Sequence, residues 1–159
     1  MLQWRCVKVA CQPVVVIRVS RKHLGLVRPL FDAYQRFYKQ RVNSAGAREF
    51  MRERLKRDES VIFLAVDGNK ALGFVQLYPS FDSVTMRRLW ILNDLFVVPT
   101  ARKRGVATLL MERARRLAVD TKAKGLILET AVDNRPAQKL YEQLGWKRDR
   151  AFHRYCLDV

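Results

Sequence analysis

The chain has 159 residues, 49% of them apolar, with 31 Lys and Arg against 15 Asp and Glu for a formal net charge of +16. That length suits one domain with one core, and the apolar fraction excludes a disordered chain. The longest apolar runs, residues 14–17 and 61–66, fall far short of the ~18 residues of a membrane span.

Cys6, Cys11 and Cys156 cannot all pair and form no Cys-x-x-Cys, while His23 and His153 lie near opposite ends. No disulfide framework and no metal site is therefore expected, and reduced thiols in a cytoplasmic protein are. The excess positive charge suits an anionic partner: nucleic acid, acidic lipid or a phosphorylated cofactor. Lys and Arg run from Arg5 to Arg154 without a basic tail, which argues against nucleic acid.

Residues 1–13 form an irregular leader without the apolar stretch and cleavage site of a secretory signal, and residues 14–159 form a single domain. The β-branched run 14–19 predicts a strand. Leu24, Val27, Leu30, Phe31, Tyr34, Phe37 and Tyr38 then recur at helical spacing, with Pro29 either kinking that helix or marking its start. Ala47, Phe50, Met51 and Leu55 predict a second, shorter helix. Residues 61–66 and 71–78 are the arms of a hairpin turned by Asp67-Gly68-Asn69, with Pro79-Ser80 ending it.

A long strand spans 88–98, interrupted by the polar pair Asn93-Asp94 and closed by Pro99. A helix from Gly105 to about 120 buries Val106, Leu109, Leu110, Ala114, Leu117 and Ala118. A strand over 125–130 follows. Asn134 and Pro136 open a last helix, with Ala137, Leu140, Tyr141 and Leu144 facing inward and Gly145 just past its end. Residues 152–159 supply a terminal edge strand. The order is β-α-α-β-β-β-α-β-α-β, an α/β (α+β) chain with a mixed sheet and helices on both faces.

Chemistry concentrates where the strand ends in a basic loop that runs directly into a helix. Unpaired N–H groups at a helix start attract anions. Gly105 lets a phosphate approach the main chain at a position where glycine costs ~1 kcal/mol of helix propensity. Arg102, Lys103 and Arg104 add positive field around the same point, so the loop is suited to a pyrophosphate.

The pattern Arg102-x-x-Gly105-x-Ala107 resembles the hallmark Gln/Arg-x-x-Gly-x-Gly/Ala of the GNAT family of N-acetyltransferases. A second hallmark, Asn-x-x-Ala-x-x-x-Tyr closed by Leu-Gly-aromatic, is matched by Asn134, Ala137, Tyr141, Leu144, Gly145 and Trp146. The likeness covers roughly residues 14–158. It implies a GNAT-like mixed, mostly antiparallel sheet of about six to seven strands, with acetyl-CoA as cofactor.

On that resemblance the pyrophosphate is held by main-chain N–H groups of Arg104, Gly105, Val106, Ala107 and Thr108, with Asn134 and Ala137 also on the cofactor side. The pantetheine arm lies in a gap between splayed strands, against the main chain of Leu95, Phe96 and Val97. Backbone N–H on the splayed strand serves the oxyanion, and Tyr141 matches the family's general acid; its other reading is a core tyrosine.

The central strand is similar to that of diamine acetyltransferases, but Asn93 stands where their glutamate precedes an aspartate. Proton removal then falls to Asp94, to Glu129, or to water held by Asn93; ordinary solvent exposure is the other reading of Asn93 and Asp94. Candidate acceptor contacts are Tyr34, Phe37, Tyr38, Tyr78, Phe81, Asp82 and Trp90, although a helical aromatic stripe also serves a core.

The leading expectation is direct acetyl transfer to a primary amine of a small amine, amino acid or peptide. A catalytically weak acyl-CoA-binding module and a basic nucleic-acid-associated protein are the alternatives. A homodimer, with the terminal edge strand available to it, accompanies the resemblance.

Overall fold

A computed structural model describes residues 13–159, so the leader except Pro13, with Cys6 and Cys11, lies outside the described residues. The chain divides into two compact units, one ending at Leu128 and one running from Glu129 to Val159.

The first unit contains β1 (Val15–Arg18), a 3-10 turn (Arg21–His23), α1 (Leu24–Phe37), α2 (Ser44–Lys56), β2 (Val61–Asp67), β3 (Lys70–Asp82), β4 (Arg87–Val97), α3 (Val106–Asp120) and β5 (Gly125–Leu128). The sheet order is β1-β2-β3-β4-β5. Its pairs are antiparallel except β4 with β5, which is parallel. Among the described residues no helix is long and apolar enough to cross a membrane.

The run of apolar residues in β2 is what a strand covered on both faces requires. On one face Ile62, Leu64, Phe74 and Phe96 pack with Val27 and Leu30 of α1 and Met51 of α2. The opposite face carries Phe63 and its cross-strand neighbour Val75, and Arg113 of α3 lies over the Phe63 ring at 4.5 Å. α3 buries Val106, Leu110, Met111, Ala114, Leu117 and Ala118. Leu109, expected in that stripe, is exposed, because at about 100° per residue it falls outside the arc those six residues cover.

Several expectations are corrected. α1 begins at Leu24 and continues past Pro29, so the proline does not start it. Pro79-Ser80 does not end β3, which runs on to Asp82 with Pro79 opposite Trp90. Pairing with β2 stops at Leu77, so beyond it β3 has β4 on one side alone and tolerates a residue without an N–H. β5 stops at Leu128, which leaves Glu129 off the strand.

The second unit holds α4 (Arg135–Gln143), where Ala137, Leu140, Tyr141 and Leu144 are half-buried. Its N-cap Asn134 accepts from the Ala137 N–H at 3.4 Å. Residues 152–159 form no strand and are exposed, with Phe152, Tyr155, Leu157 and Val159 all open to solvent. The described residues therefore make five strands rather than six to seven, because alternation in the tail does not by itself supply a partner for its backbone.

Candidate active site

The site begins with an irregularity in β4. Gln76 pairs with Asp94, but Leu77 pairs with Leu92, so Asn93 is an extra residue with no opposite number. Such a bulge shifts the two-residue alternation by one. Before it, Trp90 and Leu92 share the α3 face with Pro79 and Leu77; after it, Asp94 and Phe96 share the α1 face with Gln76 and Phe74.

Trp90, expected as an acceptor contact, is accordingly placed on the opposite face from Asp94. It is 5% exposed and its indole N–H donates to Thr121 Oγ1 at 2.9 Å. Arg88 lies over it at 5.5 Å and over exposed Phe81 at 5.2 Å. Asp82 is held at the hairpin end by Lys124 Nζ at 2.6 Å and by the Thr85 N–H and hydroxyl. These donors hold its carboxyl well below the usual carboxylate range.

Asn93 and Asp94 have opposite fates. Asn93 is exposed, whereas Asp94 is 6% exposed. Burial pushes the Asp94 carboxyl above its ordinary pKa, and hydrogen bonds from Asn93, at 3.2 Å, and from the Tyr34 hydroxyl partly oppose that rise. Tyr34 is itself raised by burial and then by the adjacent Asp94 charge. Its ring meets Tyr38 at 4.9 Å, Phe74 at 5.8 Å and Phe96 at 6.0 Å. Burial and Asp94 together push Tyr78 up to about 12, with Arg54 pulling the other way.

Sequence reasoning missed Gln76. It is fully buried opposite Asp94, and its Nε2 donates to the Tyr78 hydroxyl at 3.1 Å while Oε1 has no hydrogen-bond partner. The available signal was a lone amide inside the apolar run of β3. Asp94, Tyr34, Tyr38, Tyr78 and Gln76 thus converge from α1, β3 and β4 on one face of the sheet.

The β4–β5 ladder stops at Leu92 and Leu128, so among the described residues the stretch of β4 from Asn93 to Val97 continues without a strand on that side. The side chains of Phe96 and Val97 are core, so along this edge β4 presents its main chain. Gly73 sits opposite Val97, and an added Cβ there would meet the Phe96 carbonyl oxygen at 2.5 Å. Glycine is what allows β3 this close to the free end of β4.

Beyond β4, Lys103 and Gly105 both have positive φ, 59° and 76°. Gly105 is the N-cap of α3 in the left-handed region rather than a first-turn residue, so conformation and not propensity explains it. Among the described residues no side chain caps this end, and nothing lies within 4 Å of where a Gly105 Cβ would stand. Arg104 reaches Asp67 at 3.8 Å. Arg102 Nε donates to the Val97 carbonyl at 3.1 Å and its guanidinium lies over Phe37 at 5.8 Å, so this residue braces the loop against β4 and α1.

Within the second unit, Asn134 caps α4 and donates to Thr130 Oγ1 at 3.3 Å. The Tyr141 and Trp146 rings lie 6.2 Å apart, tilted at 48°. Glu129 is exposed and ion-paired with Arg154.

Comparison with known proteins gives the arrangement a context. Residues 27–146 match the family model described as "Acetyltransferase (GNAT) family". The uncharacterized N-acetyltransferase YhfO of Bacillus subtilis is 47% identical over 133 residues, covering 84% of this chain and 89% of that protein. A crystal structure of a probable acetyltransferase is 41% identical with a TM-score of 0.87, covering 91% and 97% of the two chains. An aminoglycoside N-acetyltransferase in complex with CoA shares the fold at a TM-score of 0.81 and 20% identity, over 96% of this chain and 100% of that one.

Proposed function

This chain belongs to the acetyltransferase (GNAT) family and is an N-acetyltransferase, and we propose that it transfers acetyl from acetyl-CoA to a primary amine by direct attack in a ternary complex. The observation that carries the reading is the buried Asp94 carboxylate beside the bulge, on the strand whose far edge is free of β5.

The residues present fit the cofactor. The left-handed Gly105, with open space above it and an uncapped helix start behind it, offers main-chain donors from Arg104 to Thr108 to a pyrophosphate. Lys103 and Arg104 supply charge there, while Arg102 holds the loop to Val97. The main chain of Leu95, Phe96 and Val97 is available to the pantetheine arm. When bound, acetyl-CoA supplies the activated acyl group as a thioester.

An alkylammonium with a pKa near ~10 must lose a proton before it can attack. Asp94 Oδ accepts that proton, directly or through one water, and its raised pKa makes it a stronger base than an exposed carboxylate. Tyr34 and Asn93 orient the carboxylate. Glu129 is the weaker candidate, since Arg154 neutralises it. Tyr141 supplies the proton to the departing thiolate.

Saturating acetyl-CoA should raise the melting temperature, and an amine screen followed by free-thiol release should find an acceptor. Tyr141→Phe should lower turnover severalfold or more while leaving the acetyl-CoA thermal shift intact. A nil shift at saturating acetyl-CoA overturns the reading.

A further inference from the structure

The end of α1 carries a feature that proton transfer does not use. Residues 36–41 hold Arg36, Lys39 and Arg41 with exposed Phe37 and Tyr38, and contain no acidic residue. Phe37 and Tyr38 are 54% and 52% exposed. The described residues place no carboxylate within ion-pair distance of any of the three cations, although α2 and the turn after it pair Arg52, Arg54 and Arg57 with Glu49, Glu53 and Glu59.

The segment adjoins the acceptor cluster. The Tyr38 ring packs edge-on against Tyr34, whose hydroxyl holds Asp94. Phe37 packs against Phe96 at 6.5 Å and beneath the Arg102 guanidinium. Lys39 closes the helix in the left-handed region at φ 57°, and the next N–H, that of Gln40, returns to the Gln35 carbonyl at 2.9 Å. The cations are thus mounted on a formed turn next to the site.

Asp94 is the only acidic residue in the cluster of Tyr34, Tyr38, Gln76, Tyr78 and Asn93, enough to receive one ammonium. The surroundings are positive: the unpaired cations of residues 36–41, Arg102 over Phe37, and a whole-chain charge of +16. A second ammonium on an acceptor would meet that field with no carboxylate to receive it. A carboxylate or phosphate would be drawn in, and guanidinium groups bind both with directed donors.

We infer that residues 36–41 form an acceptor-selecting surface, and that the acceptor is a primary amine on a carrier bearing an anionic group rather than a polyamine. The inference rests on the acetyl-transfer reading above. Cations also complement the negative end of a helix dipole; that role would appear in stability and would leave acceptor choice unchanged.

The test uses the full chain at saturating acetyl-CoA, with kcat/KM measured by thiol release. Three arms are compared: amines carrying carboxylates (amino acids and acidic dipeptides), amino sugar phosphates, and polycations (spermidine and an aminoglycoside). The expected result is preference for one anionic arm, weakening as salt rises, with the winning arm identifying the anion.

Arg36→Gln/Arg41→Gln should lower kcat/KM for that arm roughly tenfold, leave the KM for acetyl-CoA unchanged, and narrow the gap to the polycations. Preference for a polycation, or anionic preference untouched by the double variant, overturns the inference. So does inactivity toward every arm while acetyl-CoA still raises the melting temperature. Loss of that thermal shift instead overturns the underlying reading.

Discussion

Gly73→Ala tests whether the free end of β4 is held where acyl transfer needs it. The added methyl would lie 2.5 Å from the Phe96 carbonyl oxygen, 3.0 Å from Val97 Cγ2 and 3.1 Å from Val97 Cα. Carbon–oxygen contacts settle at ~3.3–3.6 Å, so β3 and β4 must part by about 1 Å. Overpacking of that kind costs about 1–3 kcal/mol, and the stiffer unfolded chain takes on about 0.4–1 kcal/mol of the opposite sign. The net is a loss of about 1–2 kcal/mol, or roughly 2–8 °C in melting temperature for a chain of this size. Movement of about 1 Å in the strand that carries Asp94 and the pantetheine contacts should lower turnover on the order of 100-fold. Gly25→Ala is the matched control: it lies in α1 with nothing within 4 Å of the new Cβ, and should stabilise by about 0.5–1 kcal/mol. Denaturant unfolding with thiol-release kinetics measures both. Wild-type stability and turnover in Gly73→Ala would refute the close-approach argument.

Burial raises the Asp94 pKa, so folding favours its protonated form; that contribution is complete below about pH 4 and is lost as pH rises through the folded-state pKa. Asp94→Asn has no charge to bury, so its stability should gain on wild type as pH rises from about 4 to 7 while transfer falls; a pH-independent difference in urea unfolding would contradict this. Tyr34→Phe removes a hydrogen bond that lowers the Asp94 pKa, and should move the acid limb of the kcat/KM profile to higher pH. An unmoved limb would separate Asp94 from the base role. Arg102→Leu should cost about 1 kcal/mol through loss of the Val97 hydrogen bond and the Phe37 contact, and an unchanged unfolding midpoint would show that the brace does not bear on stability.

What was legible in the sequence is what local periodicity and turn chemistry encode. The stripe Leu24, Val27, Leu30 is the buried side of α1, and Gly68 with positive φ turns the hairpin. Two short motifs located the uncapped start of α3 and the capped start of α4. Asn93-Asp94 stood out as polar residues in an apolar strand, yet their division into one exposed and one buried side chain depends on pairing with β3, which no local window contains. Strict alternation would group Trp90 with Asp94, and the bulge places the two on opposite faces for the same reason. Gly73 and Gln76 left only single-residue traces in β3, and their meaning comes from β4. The tail at 152–159 has strand-like alternation, but alternation specifies a face and not a partner.

The extra residue at position 93 acts as a phase marker for the whole strand. Its side chain is exposed and its amide donates to Asp94, so a substitution there should be felt at that carboxylate and not in the packing of the strand. Removing the residue would instead rotate everything upstream by half a turn, sending Trp90 and Leu92 into the aromatic layer and stripping α3 of their support. For folding, chain length at this point is therefore under tighter constraint than chemical identity, and related sequences should rarely lose the position.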